Sequence, residues 1–174
     1  MQENTDEFLM TEVANGKLDQ LKVLFEKHHV HVFNFLYQMS RDRMLSEDMT
    51  QEVFYKLMKY RATYQGGNFV SWMFTIARNG LKSHYSRNKS KASDLTKVAY
   101  CISDDNSSLN DDYSHLHYAL QQLETSDREV LILNRFQEIK YAELAAIVGS
   151  TPGAVKTKIS RALKKLKLIY FQTI

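Results

Sequence analysis

Cysteine and proline are almost missing from this chain: each occurs once in 174 residues. A lone Cys101 excludes an intrachain disulfide and any zinc site built from cysteine pairs. It suits a reducing, cytoplasmic setting. With one proline and six glycines, long stretches contain nothing that breaks a helix. No apolar run reaches the ~18 residues that a membrane span needs, so no membrane insertion is expected. Met1 to Glu7 is polar and acidic, without the basic and apolar segments of a secretory signal. Net charge is scarce as well, since 23 basic side chains nearly cancel 20 acidic ones to leave a formal +3. The information lies in how those charges are distributed.

What the chain does have is helical periodicity. Leu18, Leu21, Leu24, Phe25, Val32, Phe35 and Leu36 form one apolar stripe. Val53, Phe54, Leu57, Met58 and Tyr60-Arg61 lie on a second helix, expected to start near Ser46 with Glu47 and Asp48 in its first turn, where the helix dipole favours acids. The run Tyr64-Gln65-Gly66-Gly67-Asn68 interrupts the pattern, because paired glycines are costly inside a helix. A third helix is expected from about Phe69 to Asn88. Between about Lys91 and Asp112 the periodicity fails, and Ser103 to Asp112 is polar, acidic and turn-rich. That composition predicts a flexible linker. Helical patterning resumes near Tyr113. Ser126 and Glu129 have capping-box spacing before Val130-Leu131-Ile132-Leu133. No strand pattern competes. The expected fold is all-α: two small helical domains, 1–90 and 113–174, joined by an acidic linker over 91–112.

The second domain carries a motif. Tyr141 to Val148 reads as a short helix that Gly149 ends, and Thr151-Pro152 supplies an N-cap and first-turn proline for the next one. Ala145, Gly149 and Val155 stand at helix-turn-helix spacing. The alanine allows a close crossing, the glycine a left-handed turn, and the valine an internal anchor. Between Pro152 and Leu168 the final helix has Lys156, Lys158, Arg161, Lys164, Lys165 and Lys167 and no acid. A merely solvated face mixes signs. An unmixed one fits the major groove, with its first turns at base edges and its lysines at phosphates.

The helix after the glycine break is basic too, with Arg78, Lys82, Arg87, Lys89 and Lys91. Here Phe69, Trp72, Phe74, His84 and Tyr85 are interleaved. Aromatic groups among cations suit unpaired bases, on which they stack. By periodicity alone, Phe69, Trp72 and Ile76 read more readily as core than as stacking groups.

Enzyme chemistry has little to stand on. Six histidines are the only candidates. His28 and His31 share a helix face, whereas His115 and His117 do not. No HExxH, nucleophile elbow or phosphate-cradling glycine loop occurs. No metal or other cofactor is expected, and the chain does not read as an enzyme.

Three segments occur in order: Asp48-Met49-Thr50-Gln51-Glu52-Val53-Phe54, then Phe69-Val70-Ser71-Trp72 with Ile76-Ala77-Arg78-Asn79, then Arg128-Glu129-Val130-Leu131 leading into the helix-turn-helix. Together they resemble the extracytoplasmic-function sigma factors of bacterial RNA polymerase, over about Leu24 to Leu168. The resemblance implies that Asp48, Gln51, Glu52 and Phe54 dock on a coiled coil of core RNA polymerase. It implies that the loop from Tyr64 and the helix from Trp72 melt and capture the promoter −10 element. Gly67 and Asn68 then line a pocket for a flipped base, and Arg78, Asn79, Lys82 and Arg87 hold the strand. The second domain reads the double-stranded −35 element through Thr151, Lys156, Thr157, Ser160 and Arg161, with Lys164 on phosphate. Members of the family commonly bind an anti-sigma factor, a further expected partner. Three positions depart from the family pattern: Ser83 for an acid, Glu138 for a glycine and Glu124 for a proline. The competing reading is a stand-alone helix-turn-helix regulator, which has no use for a polymerase-docking face.

Overall fold

The computed structural model describes residues 5–92 and 111–172. They fall into two compact units, one within Met1–Ile102 and the other within Ser103–Ile174. Among the described residues every regular element is helical.

The first unit contains α1 (Asp6–Ala14), α2 (Asp19–Ser40), α3 (Arg43–Lys59), a 3-10 turn (Arg61–Thr63) and α4 (Phe69–Ala92). Its core takes Leu24, Val32, Phe35 and Leu36 from α2, Met49, Val53 and Leu57 from α3, and Phe69, Met73, Phe74 and Ala77 from α4. Each large side chain withdrawn from water there contributes about 1.5–3 kcal/mol. Phe35 and Phe74 meet edge to face at 5.6 Å. The α3–α4 crossing depends on Gly80, where an added Cβ would lie 3.3 Å from the Met49 side chain.

Two expectations for this unit change. The α2 stripe is not buried throughout, because Leu18 and Phe25 are exposed. Helix α3 begins before Ser46, at Arg43, because Asp42 caps it by accepting the Leu45 N–H at 3.0 Å. Ser46 is buried inside that helix and donates its hydroxyl to the Asp42 carbonyl at 2.6 Å. Arg41, in the left-handed conformation, ends α2 and lets the chain reverse within two residues.

The second unit contains α5 (Asp111–Gln122), α6 (Thr125–Leu131) widening into one π turn (Ile132–Phe136), α7 (Tyr141–Val148) and α8 (Pro152–Gln172). Leu120, Leu131, Ile132, Leu133, Leu144, Val155 and Ile159 fill its interior. The capping box expected at Ser126 is absent. Glu124 occupies the N-cap position without a side-chain cap, Ser126 donates to the Glu124 carboxylate at 3.4 Å, and Glu129 is buried. Glu124 has φ −55°, within the range that proline fixes, so its backbone is compatible with the proline of the family pattern. The expected linker lies outside the described residues except at its ends. There Lys91 and Ala92 still belong to α4, four residues past the expected end at Asn88, and Asp111 and Asp112 to α5.

The departure at Glu138 has a physical signature: its φ is +55°. The turn around it is tied by the Ile139 N–H on the Leu133 carbonyl at 3.1 Å and the Asn134 amide on the Ile139 carbonyl at 2.9 Å. A Cβ in left-handed backbone costs about 1–2 kcal/mol, partly offset in glycine by its freer unfolded chain. Glu138→Gly is therefore expected to stabilise the second unit by roughly 0.5–1 kcal/mol and raise its melting temperature by a few degrees. Glu138→Ala, which keeps the Cβ, gives no such rise in the same thermal scan.

Candidate nucleic-acid and polymerase interfaces

Helix α3 buries Met49, Val53 and Leu57 and turns Asp48, Gln51, Glu52 and Tyr55 outward. These four recur at three- and four-residue spacing, so they share one solvent face. Glu52 pairs with Lys56 at 2.7 Å, one turn on. Phe54 is not on that face: it is buried and packs edge-on against Phe25 at 4.9 Å. Tyr55, 55% exposed, takes the outward place instead. Beside it runs a shallow, mostly apolar groove of about 380 Å³ between α2 and α3, lined by Leu18, Leu21, Phe25, Phe54, Tyr55 and Met58.

Between the 3-10 turn and α4, residues 64–68 form a short loop with aromatic support. The Tyr64 ring lies 5.1 Å from the half-buried Trp72 ring, and its hydroxyl donates to the Gly67 carbonyl. Burial, then the charges of Glu7 and Asp6, push the Tyr64 phenol up to about 12, so it remains a donor. Asn68 caps α4, its Oδ1 accepting the Ser71 N–H at 2.8 Å. Glu7 of α1 accepts the N–H of Phe69 at 3.2 Å. Gly67 and Asn68 are exposed. Along α4, Asn79 falls two turns past Trp72 on the same side; Lys82 and Arg87 are exposed to either side of that line and Arg78 is half-buried. Phe69 belongs to the core, as periodicity alone allowed, and Ile76 is half-buried.

In the second unit, α7 ends at Gly149 (φ +70°), whose N–H and that of Ser150 both return to the Ala145 carbonyl. Ala145 and Val155 are buried at the α7–α8 contact. Thr151 caps α8, its Oγ1 accepting the Ala154 N–H at 3.3 Å. Val155, Ile159 and Ala162 face inward, and Lys156, Thr157, Ser160, Arg161 and Lys164 face solvent. Leu163 and Leu166 are half-buried. Lys165 is set apart from the other cations: its Nζ lies 2.6 Å from the buried Asp127, and that hydrogen bond, ahead of the carboxylate charge, raises its pKa. An open cleft of about 560 Å³ separates the start of α6 from α8, with Glu124 and Asp127 among its lining residues and Lys158, Arg161 and Lys165 also lining it.

His28 is buried and its Nε2 lies 2.8 Å from Asp6, while burial lowers its pKa. Among the described residues no cluster of three metal-binding side chains forms, and no helix is long and apolar enough to cross a membrane.

Two family models match this chain: Sigma-70 region 2 over residues 24–91 and Sigma-70, region 4 over residues 115–166. The RNA polymerase sigma factor CarQ of Myxococcus xanthus is 30% identical over 165 residues, covering 91% of this chain and 93% of the relative. The chain belongs to the extracytoplasmic-function sigma factors. The sigma factor YlaC of Bacillus subtilis is 27% identical, with 86% of this chain and 91% of YlaC aligned. Of solved structures, CnrH in complex with the cytosolic domain of CnrY matches at TM-score 0.75 and 21% identity, covering 95% of this chain and 97% of CnrH. At that identity the likeness concerns fold alone. A sigma factor confers promoter-specific initiation on RNA polymerase, with core polymerase and promoter DNA as partners, and is a regulatory protein. The stand-alone regulator is thereby excluded.

Two residues beside these predicted sites were not singled out from the sequence. Tyr55 was findable, since it stands seven residues after Asp48 on the same face. Glu7 was not, because its partner is a backbone amide 62 residues away.

Proposed function

We propose that the two units of this sigma factor divide the promoter between them. The first, within 1–90, docks core polymerase through Asp48, Gln51 and Glu52, with Phe54 holding their helix in place from beneath. It captures the melted −10 strand through Tyr64, Gly67, Asn68 and Trp72, and grips it with Arg78, Asn79, Lys82 and Arg87. The second, within 113–174, reads the −35 duplex with the outward face of α8, and residues 91–112 link the two. The observation that carries this reading is opposite polarity on adjacent helices: an acidic and amide face on α3 and a basic, aromatic face on α4. One anionic partner cannot suit both, so the unit needs a basic protein surface and a nucleic acid together. The chain itself makes no bonds; the polymerase does, in the cytoplasm. An anti-sigma factor would act by covering these faces.

The test is reconstitution. Purified chain and bacterial core polymerase are expected to co-elute on size exclusion and to transcribe from a subset of a randomised promoter library that core alone ignores. Failure to co-elute, with tight binding to duplex DNA by the chain alone, would sink the assignment of α3.

A further inference from the structure

The loop assigned to base capture is braced from behind by a helix outside both matched regions. Helix α1 ends at Ala14, whereas the region 2 match begins at residue 24. Its first two residues divide the work. Asp6 ties α1 to α2, with one carboxylate oxygen 2.8 Å from His28 Nε2 and the other accepting from Lys27 Nζ at 2.6 Å. Glu7, the next residue, reaches the opposite way and accepts the N–H of Phe69 at 3.2 Å. Leu9, Met10 and Val13 bury the other side of α1, so the carboxylates sit on a fixed frame.

Phe69 is the first residue of α4 and directly follows Asn68. A helix N-terminus leaves four N–H groups without intrahelical partners. Here Asn68 takes that of Ser71 from within the loop, and Glu7 takes that of Phe69 from outside it. Phe69 is further fixed by its buried ring, 5.4 Å from the ring of His28, the same histidine that Asp6 holds. At the other end of the loop, Tyr64 feels the charges of Glu7 and Asp6 and braces Trp72. One flank of residues 65–68 is therefore bonded to the first turn of α1, and the other lies in the field of its two carboxylates.

We propose that Glu7 is a positioning residue for base selection. By holding the Phe69 N–H it sets where Gly67 and Asn68 meet a flipped base, and so sharpens which base is accepted. A carboxylate on that amide also withholds it from DNA phosphate, which helix N-termini otherwise attract. The inference rests on the reading of residues 64–68 as the capture loop, and its test separates the two.

Holoenzyme is assembled from core polymerase and the full chain, and challenged with a pool of short single-stranded DNA randomised at every position. Bound strands are sequenced. The parent protein is expected to concentrate one base at the captured position. Glu7→Ala is expected to flatten that preference by roughly five- to tenfold, the scale of one lost polar discrimination. Total retention of the pool and the melting temperature stay close to those of the parent. Glu7→Gln, which keeps an acceptor oxygen, restores the preference. A loss spread evenly over all positions, or equal in Glu7→Gln, marks general loosening of the fold and overturns the positioning role. Asn68→Ala is the control on the loop. If it loses the preference and Glu7→Ala does not, the role of Glu7 fails while the capture loop stands. If neither changes it, the capture loop itself fails, and the role of Glu7 with it.

Discussion

A chain carrying Asp48→Lys and Glu52→Lys together is expected to fold normally and no longer to co-elute with core RNA polymerase. Both side chains are exposed, and the buried side of α3, made by Met49, Val53 and Leu57, is untouched. The internal interaction lost is the Glu52–Lys56 pair at 2.7 Å, a one-turn surface contact worth about 0.3–0.5 kcal/mol. At a docked interface the same groups act on a larger scale. Removing one partner of a hydrogen-bonded charge pair costs about 2–5 kcal/mol, and reversal adds repulsion to the loss. Two such changes weaken binding by roughly a thousandfold or more. Titration of labelled core with the variant, beside a thermal scan, checks both halves of the statement. Phe54→Ala provides the contrast. Phe54 is buried against Phe25, so its truncation leaves a cavity costing about 3 kcal/mol and weakens docking only by destabilising the helix beneath it. Its melting temperature falls; that of the double reversal does not.

The acids on α3 also explain why one boundary was misread. Glu47 and Asp48 after Ser46 look like dipole-favoured residues in a first helical turn, and the sequence contains a second, equally good cap at Asp42. Only packing separates the two: Ser46 is buried, its hydroxyl spent on the Asp42 carbonyl, and cannot be a cap. If the acids serve a partner, their position reports function and not helix start. The same lesson applies at Ser126 and Glu129, which have the spacing of a capping box but not its geometry, Glu129 being buried. Elements whose local and tertiary preferences agree were legible from the sequence. The α7–α8 turn combines Gly149, Thr151 and Pro152 with buried Ala145 and Val155, and every one of these does what its chemistry suggests. The π turn at Ile132–Phe136 and the bond from Glu7 to Phe69 were not legible, since neither leaves a periodic or compositional trace. The outward direction of Tyr55 in place of Phe54 lies between these cases, set by α2 packing on one side of α3 only.

On α8, three cations within one turn are expected to behave differently. Arg161 lines the cleft that Glu124 and Asp127 also line. Those acids repel phosphate and leave the guanidinium for a base edge, where a bidentate contact is worth about 1–3 kcal/mol. Arg161→Ala in the holoenzyme should therefore weaken binding to a cognate −35 duplex by roughly 5- to 150-fold and relax preference at one base pair. Lys164 is exposed on the same side of α8, with no ion pair to an acid among the described residues. Lys164→Ala should lower affinity evenly across sequences and reduce the slope of log affinity against log salt by about 0.9. Lys165 is committed to Asp127 at 2.6 Å, so Lys165→Ala should lower the melting temperature more than the DNA affinity. Equilibrium titrations of the three variants at several salt concentrations, on cognate and single-base-substituted duplexes, separate these outcomes. A reduced salt slope with intact base preference in Arg161→Ala would move Arg161 to phosphate. The base reading would then fall to Lys156 and Ser160, five residues and one residue nearer the start of the helix.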